Sequence, residues 1–263
     1  MSIIQEKTDL EKILESKDWL SSIRYHSGRI IEYDIKSANA NVLYREGAIS
    51  KETYDYLIRL PKIEREIAVG KMEQRDSALY HTLMNGIFKL RRQLIEENNI
   101  QEEEIVRVAT DAIYINRFDN LKYTKFDNVT FVPKSEYSNM MILLDLIVFS
   151  RYINNNIDID VKGLGNSMQY HQQYMLSLIA NVIYMFERVS LLDSIRYLTQ
   201  MYEQYVKLQL PIGFYRELNP YSGYRVKNMN MVVFEGSDVN MVDIGYNIRY
   251  LRELHNILFE NFH

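Results

Sequence analysis

The spacing of apolar residues changes period along this chain, and each change marks an element. Residues 2–22 put Ile4, Leu10, Ile13, Leu14 and Leu20 roughly on one face, which predicts an opening helix. Ile23–Tyr25, a turn at His26-Ser27-Gly28, and Arg29–Ile35 read as a β-hairpin. Its second strand is rich in β-branched and aromatic residues (Ile30, Ile31, Tyr33, Ile35) and ends on a single acid, Asp34. Ser37 or Asn39 then caps a helix that runs to Arg45 and stops at Gly47. Ser50 caps Lys51–Arg59, and Pro61 opens Lys62–Met72, where its missing N–H costs nothing. Asp76–Asn98 carries Leu79, Leu83, Ile87, Leu90, Leu94 and Ile95 at helical spacing, interleaved with Lys89, Arg91 and Arg92. Glu104–Asn116 reads as a second hairpin with Asp111 between its two apolar runs, and Val129–Val132 as a further strand.

From Met140 the pattern reads as helical: a helix over Ile142–Tyr152, loops around Asp158 and Asp160, a break at Gly163-Leu-Gly165-Asn166, and helix from Ser167 to Leu208. A possible strand (Met229–Phe234) and a closing helix (Val242–Phe262) finish the chain. The fold class expected is α+β, an antiparallel palm-like sheet with helices followed by a mainly α-helical C-terminal part. The division expected is residues 1–155, with a short helical insertion at 38–73, and residues 156–263.

Composition narrows this picture only in places. Twelve Met and 21 Tyr against 10 Gly and 4 Pro favour helices with few loops. The absence of Cys excludes disulfides, thiolate metal sites and a cysteine nucleophile. Abundant Ile, Asn, Tyr and Lys fit an AT-rich coding genome, such as that of a phage. With no 18-residue apolar run and no signal-peptide shape at Met1-Ser-Ile-Ile, the expected location is the cytoplasm, the host's if the chain is phage-encoded, with no membrane partner. A net charge of −4 means that any nucleic-acid contact is local or shared with partners.

The candidate chemistry rests on two acids. A carboxylate at the end of a buried strand is costly unless a cation neutralises it. Asp34 and Asp111, each on a strand end with a basic helix between them in sequence, fit the logic of two-metal phosphoryl transfer. Mg²⁺ (or Mn²⁺) needs few protein oxygens, because substrate phosphates and waters complete its shell. The plainer alternatives are that Asp34 caps the next helix, that Asp111 serves a tight turn, and that Lys62, Arg65 and Lys71 form the solvated face of an amphipathic helix. Asp158 and Asp160 carry no ligand pattern, and the five His show no metal spacing.

The order of these features resembles family B DNA polymerases. Tyr33-Asp34-Ile35-Lys36-Ser37-Ala38 is similar to that family's first catalytic motif, an apolar strand, Asp, two variable residues and Ser. Val108-Ala109-Thr110-Asp111-Ala112-Ile113-Tyr114-Ile115 resembles the third motif, and Lys62-Ile-Glu-Arg-Glu-Ile-Ala-Val-Gly70-Lys71 the second. The resemblance covers roughly residues 29–116. It implies a palm with Asp34 and Asp111 as catalytic metal ligands, and Lys62, Arg65, Lys71 and Ser37 as contacts of an incoming nucleoside triphosphate. The helices at 38–73 would be a vestigial fingers hairpin and the C-terminal helices a thumb or a surface for protein partners. The activity implied is nucleotidyl transfer in nucleic-acid synthesis such as DNA replication. The lettering departs from the family at several points: Ala109 and Ala112 flank the second acid, Glu66 stands where the second motif has Asn, and Asn39-Ala40-Asn41 follows the first motif. With the acidic net charge, those departures keep a second reading open, a catalytically inactive palm relative that serves as a structural or interaction subunit of a viral replication or other nucleoprotein complex.

Overall fold

The computed structural model describes residues 9–144, 146–154, 156–162, 168–207, 209–210, 217–219, 223–225 and 244–260. The fold is α+β. By its internal contacts the chain forms two compact units, one of residues 1–22 and 28–137 and the other of residues 23–27 and 138–263.

The first unit opens with α1 (Asp9–Leu14), followed by β1 (Asp18–Leu20) and β2 (Tyr25–Ile35). Helices α2 (Ala38–Arg45), α3 (Lys51–Arg59), α4 (Lys62–Arg75) and α5 (Ser77–Asn98) come next. A 3₁₀ turn leads into β3 (Ile105–Ala109) and β4 (Ala112–Asn116), then β5 (Lys125–Phe126) and β6 (Val129–Leu143). The strands lie in the order β1-β3-β4-β2-β6. Strand β2 therefore has the second arm of the β3–β4 hairpin on one side and β6 on the other. Alternation divides the sheet into two faces. Ile31, Tyr33 and Ile35 of β2, Val108 of β3, and Ile113 and Ile115 of β4 pack in one core with Val42, Leu43, Leu83, Ile87, Leu90 and Leu94 of the helices. The other face takes the intervening residues, Glu32 and Asp34 on β2, Ala112 and Tyr114 on β4, and Arg107 and Ala109 on β3. Helix α2 fits closely on α5 because Gly86 has no side chain; a Cβ there would lie 2.5 Å from Val42 Cγ1.

Several sequence expectations change here. The opening helix ends at Leu14, and Asp18–Leu20 is a strand because Trp19 pairs with Val108 at the free edge of the hairpin. No hairpin forms at His26-Ser27-Gly28. Strand β2 runs straight through eleven residues, and Gly28 absorbs the irregularity with φ 113°, a value that L residues rarely adopt. Ser50 caps α3 as expected, accepting a hydrogen bond from Thr53 N. Ser37 does not cap α2: it sits in the left-handed region (φ 49°) and makes no capping bond through its side chain.

In the second unit, residues 138–143 of β6 continue into β7 (Leu146–Ile153) and β8 (Asn156–Lys162), all antiparallel. The helix expected over Ile142–Tyr152 is thus a pair of strands. A continuous apolar run fits a strand buried on both faces as well as a buried helix, and here Leu143 pairs with Leu146 where Leu144 turns with φ 58°. Asp158 and Asp160, expected in loops, lie on β8. Helix α6 (Met168–Arg188) and α7 (Leu191–Val206) replace one long helix, separated where Ser190 caps α7 by accepting from Asp193 N. A two-stranded ribbon, β9 (Glu217–Asn219) with β10 (Gly223–Arg225), and α8 (Ile244–Glu260) complete the described residues. Met141, Leu143, Leu146 and Val148 pack with Leu178, Ile179, Val182, Ile183, Leu198, Leu251, Leu254 and Ile257 to form this unit's core. The expected break at 163–166 and strand at 229–234 fall outside the described residues. No described helix is long and apolar enough to cross a membrane.

Candidate acid site on the sheet

Backbone pairing brings the two acids together. Asp34 stands directly across from Ala112, the residue after Asp111, and Ile35 N donates to the Asp111 carbonyl at 3.1 Å. The chain reverses at Thr110-Asp111 between paired Ala109 and Ala112. That turn is strained, since Thr110 is β-branched and has φ 22°. Two contacts hold it in place: Thr110 N donates to Lys17 O at 2.6 Å, and the Arg91 guanidinium donates to Thr110 O.

Arg91 comes from the middle of α5 and is 0% exposed. Its Nη1 also donates to the carbonyls of Leu14 (2.9 Å) and Ser16 (2.7 Å), so a single side chain ties the chain entering β1 to the tip of the hairpin. Burial pushes its pKa down to about 10, against the opposing pull of Asp111.

The Asp34 side reaches its position by a different network. Past Ile35 the backbone is fixed by Lys36 N donating to Thr130 O at 2.9 Å. Buried Asn41 donates to Lys36 O at 2.6 Å and accepts from the Tyr54 hydroxyl at 2.9 Å. The half-buried Ser37 lies in this turn, and its carbonyl accepts from Asn41 N.

The charges at the site do not balance locally. Asp34 has a side chain 21% exposed; its Oδ2 accepts from Lys134 Nζ of β6 at 3.0 Å, and its Oδ1 is buried with no hydrogen-bond partner among the described residues. The same ammonium lies 3.0 Å from Glu32 Oε1, and Glu32 is 3% exposed. Tyr114 hydrogen-bonds to Glu32 as well, and burial followed by that carboxylate's charge raises the Tyr114 pKa. Burial works against the Lys134 ammonium, but its bonds to Glu32 and Asp34 outweigh it and raise its pKa. Asp111 feels burial first and the Asp34 charge second, and both hold its carboxyl above the ordinary 3.8. Its own N–H, Lys134 and Lys62 pull the other way.

The basic residues singled out from α4 are placed differently from one another. Lys62 acts electrostatically on Asp111 while remaining 75% exposed, with Glu66 at 3.8 Å. Arg65 donates to Leu60 O at 3.4 Å. Lys71 lines a groove between α3 and α4 together with Tyr56, Ile67 and Arg75. Neither Arg65 nor Lys71 is among the cations that act on Asp111.

Sequence reasoning missed Lys134 and Glu32 and took Arg91 as one of three ambiguous helix cations. Glu32 was discoverable, since it sits two residues before Asp34 and thus shares its face of the strand. The donor set suits a hard divalent ion, because it offers carboxylate oxygens, one of them buried and unpartnered. Among the described residues no group of three or more His, Asp or Glu is arranged to hold a metal, so any protein ligation would rest on the acid pair.

No curated protein matches the chain. The sequence model of a family described as bacteriophage PBS1 gene 130 protein matches residues 12–259. A bacteriophage family agrees with the origin that the composition suggests. With nearly its whole length matched, the chain belongs to the bacteriophage PBS1 gene 130 protein family.

Proposed function

We propose that the sheet face around Asp34 and Asp111 is a palm-type nucleotidyl-transfer site, which moves a nucleotide from a nucleoside triphosphate to a 3′-hydroxyl. One observation carries the reading. Strand β2 pairs with the second arm of the β3–β4 hairpin, so acids 77 positions apart in the chain meet closely enough for one to raise the other's pKa. The order strand, helices, hairpin, strand, with the helices packed on one face, matches the split βαβ arrangement as far as its hairpin and in its strand order, while no described helix lies between the hairpin and β6.

Asp34 and Asp111 would hold Mg²⁺ or Mn²⁺ through carboxylate oxygens. The bound ion would supply charge neutralisation at the transferring phosphate and activation of the attacking oxygen. Lys62, exposed yet within electrostatic reach of Asp111, would steady the triphosphate; Arg65, Lys71 and Ser37 are further candidates of the same kind. Arg91 and Asn41 are positioning residues. They hold the hairpin turn that carries Asp111 and the turn that follows Asp34.

A second reading is favoured by one specific contact. Lys134 already forms an ion pair with Asp34, as it would in an inactive palm relative acting as a structural subunit of a nucleoprotein complex. Labelled-nucleotide incorporation on primed and unprimed strands, with Mg²⁺ or Mn²⁺, separates the two. Under the first reading Asp34→Ala and Asp111→Ala each abolish incorporation while circular dichroism shows an intact fold. Incorporation retained in either variant refutes the metal-ligand assignment, and its absence in the wild type under every condition favours the structural subunit.

A further inference from the structure

We infer that Lys134 is a displaceable internal counter-ion of this site, holding Asp34 while no divalent ion is bound and releasing it when one enters. The inference rests on reading Asp34 and Asp111 as cation ligands and adds how that site is regulated. It explains why an ion pair and a metal site can share the same carboxylate.

Three features separate a displaceable ion from a permanent strut. The first is shortage. Glu32, Asp34 and Asp111 are clustered acids, and among the described residues Lys134 is the one cation in direct contact with any of them. A buried carboxylate left without compensation is expensive, so one ammonium bridging two acids is the least costly arrangement for the metal-free chain. The second is reach. The Lys134 side chain is 53% exposed, so its four-carbon stem can swing to solvent without opening the core. The third is what stays behind. Glu32 keeps the hydrogen bond from the Tyr114 hydroxyl when the ammonium leaves, while Asp34, with Oδ1 already unpartnered, has both oxygens available. A lysine suits this role better than an arginine, being a flexible point charge with no bidentate fork to lose.

The test uses the full chain and two readouts other than catalysis. Mn²⁺ binding is followed by water-proton relaxation for the wild type, Lys134→Met and Asp34→Asn. Removing a positive charge about 3 Å from Asp34 should tighten Mn²⁺ binding about tenfold in Lys134→Met. In parallel, amine-reactive labelling with mass spectrometry measures the reactivity of Lys134 in the wild type, with Lys162 as an internal control. Lys162 is paired with Asp160 at 2.7 Å in the second unit. Lys134 should be protected in metal-free protein and become several-fold more reactive with Mg²⁺, while Lys162 stays unchanged. Mn²⁺ binding with Lys134 still protected overturns the counter-ion role and leaves the metal site standing. No Mn²⁺ binding by either the wild type or Lys134→Met overturns both. The labelling arm needs no variant, so a poorly folded Lys134→Met does not block the decision.

Discussion

Two sets of acids on the sheets of this protein meet opposite fates. On β8 of the second unit, Asp158 lies directly across from Arg151 and pairs with it at 2.7 Å, and Asp160 pairs with Lys162 at 2.7 Å. Each acid has its own cation, and all four side chains are between 40% and 46% exposed. On the face of the first unit's sheet away from the helices, Glu32, Asp34 and Asp111 are more enclosed, and among the described residues one ammonium, that of Lys134, touches them. The first arrangement is what a solvated strand produces at little cost. The second stores unfavourable electrostatics, which a fold retains when the charge is used. Sequence proximity would have ranked them the other way, since Asp158 and Asp160 are two residues apart and Asp34 and Asp111 are far apart in the chain.

The largest effect should come from removing the clamp that keeps the second arrangement in place. Arg91→Ala strips hydrogen bonds from the carbonyls of Leu14, Ser16 and Thr110 and leaves a large buried cavity. The expected cost is about 3 kcal/mol or more in urea unfolding, comparable to breaking a buried charged network. A loss under about 1 kcal/mol would mean that the strained Thr110 turn holds itself and that the acid pair needs no clamp.

The enclosed acids should also be costly in a pH-dependent way. The Asp111 pKa is held above 3.8 by burial and then by Asp34, so the folded chain binds that proton more tightly than the unfolded chain does. Its contribution to stability is greatest below 3.8 and is lost as pH rises through the raised value. Asp111→Asn should therefore melt a few degrees higher than the wild type at neutral pH, with the advantage vanishing under acid conditions. Asp34→Asn should lower the Asp111 pKa toward its ordinary range in a carboxyl NMR titration. A neutral-pH melting temperature that falls in Asp111→Asn would show the carboxylate to be structural, and the contrast with β8 would collapse.

How much of this was legible beforehand follows from what kind of signal each part leaves. Strand β2, the Glu104–Asn116 hairpin and helices α2 to α5 announce themselves through period and caps, so Asp34 was placed at the end of its strand and Asp111 between the arms of its hairpin from sequence alone. The run from Met140 to Ser150 defeats that method. Its apolar residues are nearly continuous, and strand or helix is decided by pairing partners distant in the chain. Trp19 is similar: its local pattern is helical, and the edge offered by Val108 overrides it. Lys134 leaves no motif at all, because its importance lies in β6 running beside β2, a long-range fact. Arg91 looks like any basic residue on a helix until its carbonyl partners, which lie on segments before and after α5, are known.

The smallest predicted effect tests the other half of the contrast. Asp158→Asn removes an ion pair in which both side chains are nearly half exposed, and the Coulomb gain of such pairs is mostly offset by solvent screening and side-chain entropy. The change in unfolding free energy should be about 0.5 kcal/mol or less, and it should shrink further in 0.5 M salt, where the Debye length falls to about 4 Å. A double-mutant cycle with Arg151→Met separates the pair from each side chain's own packing. A coupling above about 1 kcal/mol, insensitive to salt, would mean that β8 is as electrostatically committed as the Asp34 face. Full local neutralisation would then no longer mark an acid as idle, and electrostatics would not set Asp34 and Asp111 apart from Asp158 and Asp160.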